Sequence, residues 1–328
     1  MKKSVEQMLP EVWRALWRNP VIFVPPVAVF FLFALITAGF SAIFLGSIVS
    51  EIHNIGDLYS HFAYGNWPAT VADFTIYTAL MLCAFLTVVL LILLFHSAGW
   101  GNMFARAAAT GVTSLGDYFG GISRFTVRVS VGVFLKQCIH LAPALFCAAL
   151  WAVFMIVFAE SRAVVSLCFL LLLPPFIVVQ GLICFFLSMW RPALFIEDLP
   201  VVEAFGRSYR VVRGNWLSLI LIFVIRFAGT LLVFGAFSVL TTTGQHVLRE
   251  LENVMRIPLG PAMSASAGLL SWLLGFVISV FFTLYFYVFY HNRGIEEAAA
   301  SPSDSPAGDG IEGVTPMRDS SPDEPPLE

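Results

Sequence analysis

Charge is scarce in this chain, and that scarcity excludes more than any motif does. Of 328 residues only 12% are Asp, Glu, Lys or Arg, against 59% that are apolar, and the mean hydropathy is +0.85. Soluble domains carry about twice that charged share to cover their cores. A soluble enzyme is therefore excluded, and the bilayer is the solvent for most of the chain.

Paired cysteines are missing too. Cys83, Cys138, Cys147, Cys168 and Cys184 all fall inside apolar runs, with no CxxC and no Cys/His spacing suited to a metal, so they read as small buried hydrophobes. The chain has no Walker loop, GxGxxG, HExxH or GxSxG element, and no paired carboxylates within an apolar run. Its six His (His53, His61, His96, His140, His246 and His291) are scattered. The expectation is a protein that is not an enzyme, holds no cofactor or metal, and binds membrane lipids rather than nucleic acid.

Long charge-free runs are what the chain has in abundance. Residues 19–50, 74–105, 163–190 and 257–292 contain no charge, and 129–159 and 216–247 contain one basic residue each, Lys136 and Arg226. A helix needs about 20 apolar residues to cross about 30 Å of hydrocarbon. The fold class expected is all-α, a polytopic integral membrane protein with six transmembrane helices at about 21–47, 74–101, 129–158, 163–190, 216–241 and 266–290.

Sorting the Lys and Arg between those runs puts thirteen on one side and three, Arg162, Arg249 and Arg256, on the other. The positive-inside rule then predicts both termini in the cytoplasm of a bacterial inner membrane. The eight Trp lie near helix ends, as an amphipathic ring in the headgroup zone would. A cleaved signal peptide is the competing reading of the first run, but that run is too long for one and an uncleaved helix is expected.

Residues 4–18, 113–128 and 199–213 each mix apolar and basic residues just ahead of an odd-numbered span, the pattern of an amphipathic helix lying in the cytoplasmic interface. In the third, Asp198 is suited to cap and Pro200 to start the helix. Val201, Phe205, Tyr209 and Val212 form its apolar face, and Glu203 stands four residues before Arg207 to pair with it. The layout suggests three units, each an interfacial helix followed by two crossings.

The domain boundary is predicted at residue 293. Residues 294–328 hold nine acids and one Arg, a net −8 that leaves +5 for residues 1–293. Their Pro, Ser, Gly and acidic composition is that of a disordered cytoplasmic tail, either a solubilising end or a protein-binding one.

Arg226 is the outstanding residue, about 15 Å along the fifth span and close to the middle of the bilayer. Charge at that depth is costly and usually functional. Lys136 on the third span has His140 one turn further on, and Gln180 follows Pro174 and Pro175 on the fourth. No Asp or Glu lies deep enough in a span to neutralise either cation. Lys136, Arg226, His140 and Gln180 are thus the candidate site for an anionic lipid headgroup or solute, with carbonyls freed by Pro143, Pro174 and Pro175 as the structural alternative partner of Arg226. Small residues at Ser264, Gly268, Ser271 and Gly275 suggest close helix packing.

The stretch from Arg191 to Trp216 carries Pro192, Glu197, Glu203 and Ala204, then Arg207, Ser208 and Tyr209, then Gly214, Asn215 and Trp216. It resembles the signature of a group of poorly characterised bacterial six-helix membrane domains, including the membrane domain found beside glycerophosphodiester phosphodiesterases. The resemblance implies an integral six-helix domain in which this segment is architectural. No catalytic barrel is attached, so phosphodiesterase activity is not implied. Two functions remain: binding or moving an anionic lipid or small solute near Arg226, and scaffolding of partners by the interfacial helices and acidic tail.

Overall fold

The structure, a computed structural model, describes residues 4–52, 67–159, 161–255 and 260–300. Among them it contains helices and turns only. In chain order these are α1 (Val5–Arg18), a 3-10 turn (Pro20–Phe23), α2 (Val24–Ile52), α3 (Trp67–Thr110), α4 (Leu115–Val157), α5 (Arg162–Phe186), α6 (Trp190–Ile196), α7 (Val201–Gly214), α8 (Trp216–Met255) and α9 (Gly260–Ala300). Six stretches are long and apolar enough to cross a membrane: 20–46, 76–110, 115–157, 163–196, 216–244 and 266–294.

Several helices outrun the apolar segments that define them. α3 has 44 residues and α4 has 43, about 65 Å each at 1.5 Å per residue, twice the hydrocarbon thickness. The reason is local. Nothing breaks α3 before Gly111, whose φ of 77° lies in the left-handed region that glycine tolerates. Ser114 then starts α4 with a capping box: its Oγ accepts from the Asp117 amide while the Asp117 carboxylate accepts from the Ser114 amide at 2.9 Å. Between that cap and Pro143 no proline interrupts the helix. Residues 113–128 therefore do not form a separate amphipathic helix, and the threefold pattern of interfacial helix plus two crossings does not hold for its second unit. At the other end, α9 continues to Ala300, past the compositional change at Gly294. The remainder of the expected tail, and residues 53–66, lie outside the described residues.

Packing is uneven along the bundle. The buried side chains gather at the basic ends of the spans: Ala98 to Ala107 on α3, Phe125 and Val129 on α4, Met189 to Phe195 around α6, Val201 to Val212 on α7, Leu219 and Ile222 on α8, and Val280 to Tyr290 on α9. α1 joins them through Val5, Met8, Val12 and Leu16. Its apolar stripe is buried against protein, chiefly α9, where Tyr285 donates to the Val5 carbonyl at 2.7 Å. The opposite face of α1 exposes Trp13 and Trp17. Because α1 and the end of α9 pack together, both ends of the described chain lie at the same end of the bundle.

Two side chains fasten this region in a way the sequence does not show. Asn19, 1% exposed, donates to the carbonyls of Ala15 (2.7 Å) and Gly111 (2.9 Å) and accepts from the Thr113 amide at 2.8 Å, so it ties α1 to the α3–α4 turn. Trp100 donates to the Ile22 carbonyl at 3.1 Å. Trp190 is buried over Gly132, so these two indoles serve packing rather than the headgroup zone. Of the small-residue stripe on α9, Gly275 meets Phe234 of α8 whereas Gly268 has open space beside it.

Close approach in the core sets a clear test. A Cβ added at Gly101 would stand 2.2 Å from the Phe195 ring, and one at Gly229 would meet nothing within 4 Å. Gly101→Val is expected to destabilise by about 2 kcal/mol or more through overpacking, and Gly229→Ala to be neutral or slightly stabilising. Thermal unfolding of the detergent-solubilised protein reads both.

Candidate functional site

The signature segment folds into an elbow. α6 is a short helix of seven residues, and Pro192 is buried with it. The chain then turns at Asp198, whose φ of 55° places a non-glycine residue in the left-handed region. Asp198 does not cap α7; Pro200 occupies the N-cap position. The Asp198 carboxylate instead receives Arg124 at 2.5 Å and Arg128 at 2.8 Å from α4, and the Arg128 guanidinium also donates to the Asp198 carbonyl at 3.2 Å. Two cations one turn apart on α4 thus hold a backbone conformation that Asp tolerates better than most residues.

α7 is turned relative to the face expected of it. The buried residues are Val201, Ala204, Arg207, Ser208, Val211 and Val212, whereas Tyr209 and Glu203 are exposed. Arg207 pairs with Glu197 rather than with Glu203. Its Nε donates to Glu197 Oε1 at 3.2 Å, its Nη2 donates to the Gly294 carbonyl, and Tyr290 Oη donates to the same Glu197 oxygen at 2.6 Å. The Arg207 side chain is 8% exposed and that of Glu197 21%. Burial alone disfavours the guanidinium charge, but Glu197 and Tyr290 together outweigh it and hold the Arg207 pKa above its ordinary value.

Ser208 explains the rest of the rotation. Its hydroxyl donates to the Phe186 carbonyl at 2.7 Å and accepts from the Met189 amide at 3.1 Å, satisfying two backbone groups where α5 ends. Asn215 Nδ2 donates to the Val211 carbonyl at 3.1 Å as α7 closes at Gly214, and Trp216, half exposed, opens α8. Tyr209 sets its ring against Phe186.

Above this floor the spans part. A cavity of about 700 Å³ lies between the α4–α5 hairpin, which contributes Lys136, Gly181, Cys184, Phe185 and Ser188, and the α8–α9 hairpin, which contributes Phe223, Arg226 and Phe286 among others. Lys136 and Arg226 therefore line the same space, and none of the residues lining it is Asp or Glu. Phe185, Phe223 and Phe286 lie tilted against one another across it, with successive centroids 6.0 and 5.2 Å apart. The Ser188 hydroxyl is buried there with no hydrogen-bond partner among the described residues. The residues whose carbonyls Pro143, Pro174 and Pro175 free are not among those lining the cavity with Arg226.

His140 and Gln180 meet beside the cavity. His140 Nδ1 lies 2.6 Å from Gln180 Oε1, Gln180 Nε2 donates to the His140 carbonyl at 2.8 Å, and His140 Nε2 faces Cys184 Sγ at 3.8 Å. The sequence grouped His140, Lys136, Arg226 and Gln180 as one candidate site, but it gave no sign that Cys184 joins them. Among the described residues no three His, Cys, Asp or Glu gather as metal ligands.

Fold and site together define a six-span helical membrane protein with a cationic cavity between two hairpins. The chain belongs to the family described as a domain of unknown function, DUF7847, whose model matches residues 4–293. No curated protein and no solved structure matches it.

Asp198 provides the test of the elbow. Asp198→Asn keeps the left-handed conformation accessible and is expected within about 1 kcal/mol of the unsubstituted protein, its ion pairs being largely solvent-exposed. Asp198→Val is expected to cost about 2 kcal/mol or more, because a β-branched residue is strained at that φ. Equal unfolding midpoints for the two variants would mean that the backbone conformation carries no weight.

Proposed function

We propose that this is a bacterial inner-membrane protein, with both termini cytoplasmic, that binds or moves an anionic lipid headgroup or small anionic solute in the cavity between its two hairpins. The observation that carries the reading is the convergence of Lys136 and Arg226, from different hairpins, on one space lined by no carboxylate. An unneutralised cation within a span is expensive. Two facing the same cavity favour an anion as their partner, and the Ser188 hydroxyl, without a hydrogen-bond partner among the described residues, adds a donor for its oxygens. The exposed Val224 and Phe227 beside Arg226 leave the cavity open toward the acyl chains, as entry of a lipid requires.

Orientation rests on the thirteen-to-three distribution of Lys and Arg and on the packing of α1 against the end of α9. In the same reading, the likeness of Arg191–Trp216 to the membrane domains that accompany glycerophosphodiester phosphodiesterases marks a relationship of architecture, without the phosphodiesterase chemistry. The role proposed is non-enzymatic.

Native mass spectrometry of the purified protein tests the site. The unsubstituted chain is expected to retain anionic phospholipid, and the Lys136→Gln, Arg226→Gln double variant to retain at least about tenfold less while unfolding at a similar temperature. An unchanged lipid complement would contradict the reading. Deletion of residues 301–328 is expected to leave retention intact; loss of lipid or of partner proteins on that deletion would favour the scaffold instead. Reporter fusions at the two ends are expected to report the cytoplasm for both.

A further inference from the structure

The cluster beside the cavity has the internal logic of an activated nucleophile. The Gln180 amide donates its Nε2 hydrogen to the His140 carbonyl at 2.8 Å, an atom that only accepts, so Oε1 is the atom that faces the ring. His140 Nδ1, 2.6 Å from that oxygen, must then carry the ring proton. This leaves Nε2 as a free lone pair, and it points at Cys184 Sγ, 3.8 Å away. A thiol, a base, and a third group that fixes the base's tautomer and orientation are the three parts of a nucleophilic triad, whose hydrogen bonds are often loose before substrate arrives. Each comes from an apolar span, where a polar side chain needs a reason to be retained.

The surroundings add direction. Cys184 lines the same cavity as Lys136 and Arg226. It lies about one and a half turns before Met189, where the packed basic end begins. Among the described residues no other cysteine sulfur meets an imidazole. Cys83 and Cys138 are also exposed, but no imidazole contact is made by either sulfur among the described residues.

We propose that Cys184 is an activated thiol that accepts a fatty acyl group from an acyl thioester, with His140 as the base and Gln180 as the residue that positions it. The Cys184 proton passes to His140 Nε2 and the thiolate attacks the thioester carbonyl. A new bond forms between Sγ and the carbonyl carbon as the bond from that carbon to the carrier's sulfur breaks. The carrier leaves as a thiolate and takes the proton from His140. One thioester is exchanged for another, with no change of oxidation state, and the acyl chain lies where the cavity opens onto lipid. The proposal rests on the triad and stands even if no free anion binds at Lys136 and Arg226.

The full chain in phospholipid nanodiscs, alkylated with iodoacetamide and read peptide by peptide, tests the activation. An ordinary thiol slows about tenfold for each pH unit below its pKa of about 8.5. Cys184 is expected to alkylate with a shallow pH profile near neutrality. His140→Ala is expected to restore the steep profile and slow the reaction about tenfold at neutral pH, with Gln180→Leu in between. Palmitoyl-coenzyme A is the probe for transfer: one hydroxylamine-sensitive palmitoyl group is expected on Cys184, and none on the Cys184→Ser chain. A steep profile in the unsubstituted chain, or acyl groups spread over all five cysteines, would overturn the proposal without recourse to any variant.

Discussion

Lipid removes the force that holds soluble helices together. Two apolar faces gain little by leaving hydrocarbon for each other, so spans associate through close packing and hydrogen bonds instead. This protein places its packing where polar groups and water are at hand. Nearly all of its buried side chains lie at the basic ends of the six spans, and along the rest of their length the helices expose Leu, Phe, Val and Ile. At the centre of the packed end, Arg207 is held by Glu197, Tyr290 and the Gly294 carbonyl, joining the end of α6, the middle of α7 and the end of α9. A buried ion pair of this kind is weak evidence of net stability, but losing one partner strands the other. The geometry of the elbow follows from keeping both.

The cavity is a consequence of that arrangement. Helices pinned at one end can separate above it, and they separate between the two hairpins, over the Phe185, Phe223 and Phe286 rings. Lys136 is one turn beyond Gly132, which seats the Trp190 ring, so the position of the cation is fixed by the last layer of the core. Arg226 likewise follows Leu219 and Ile222, the buried start of α8. The cations are carried on rigid elements anchored just beneath them.

The six spans were legible because absence of charge is a one-dimensional property, and the same bilayer requirement that excludes charge requires a helix. Helix length was not legible: residues 113–128 look amphipathic, but only the lack of a breaker between Ser114 and Pro143 decides that they continue into the span. The face of α7 was misread because Arg207 was counted as a surface residue, whereas Glu197, ten residues earlier, makes its burial tolerable. Asn19 gave no signal, since its partners are Ala15 and a turn more than ninety residues away. Arg226 and Lys136 stood out as charges in apolar runs and were grouped as one candidate site on that ground, without the geometry that joins them. Their meeting depends on how two hairpins pack, and the contact of Cys184 with His140 on how α4 and α5 pair within one of them, which no spacing along the chain records.

The central claim is that Arg207, Glu197 and Tyr290 act as one unit that locks the packed end. A double-mutant cycle in unfolding free energy with Glu197→Gln and Arg207→Met measures this directly, because each change removes the pair without touching the cavity. The Arg207→Met change alone is expected to cost about 3 kcal/mol. The double variant is expected to be more stable than the sum of the single effects by about 1 kcal/mol or more. Strictly additive effects would contradict it, because the two charges would then be stabilised independently of each other.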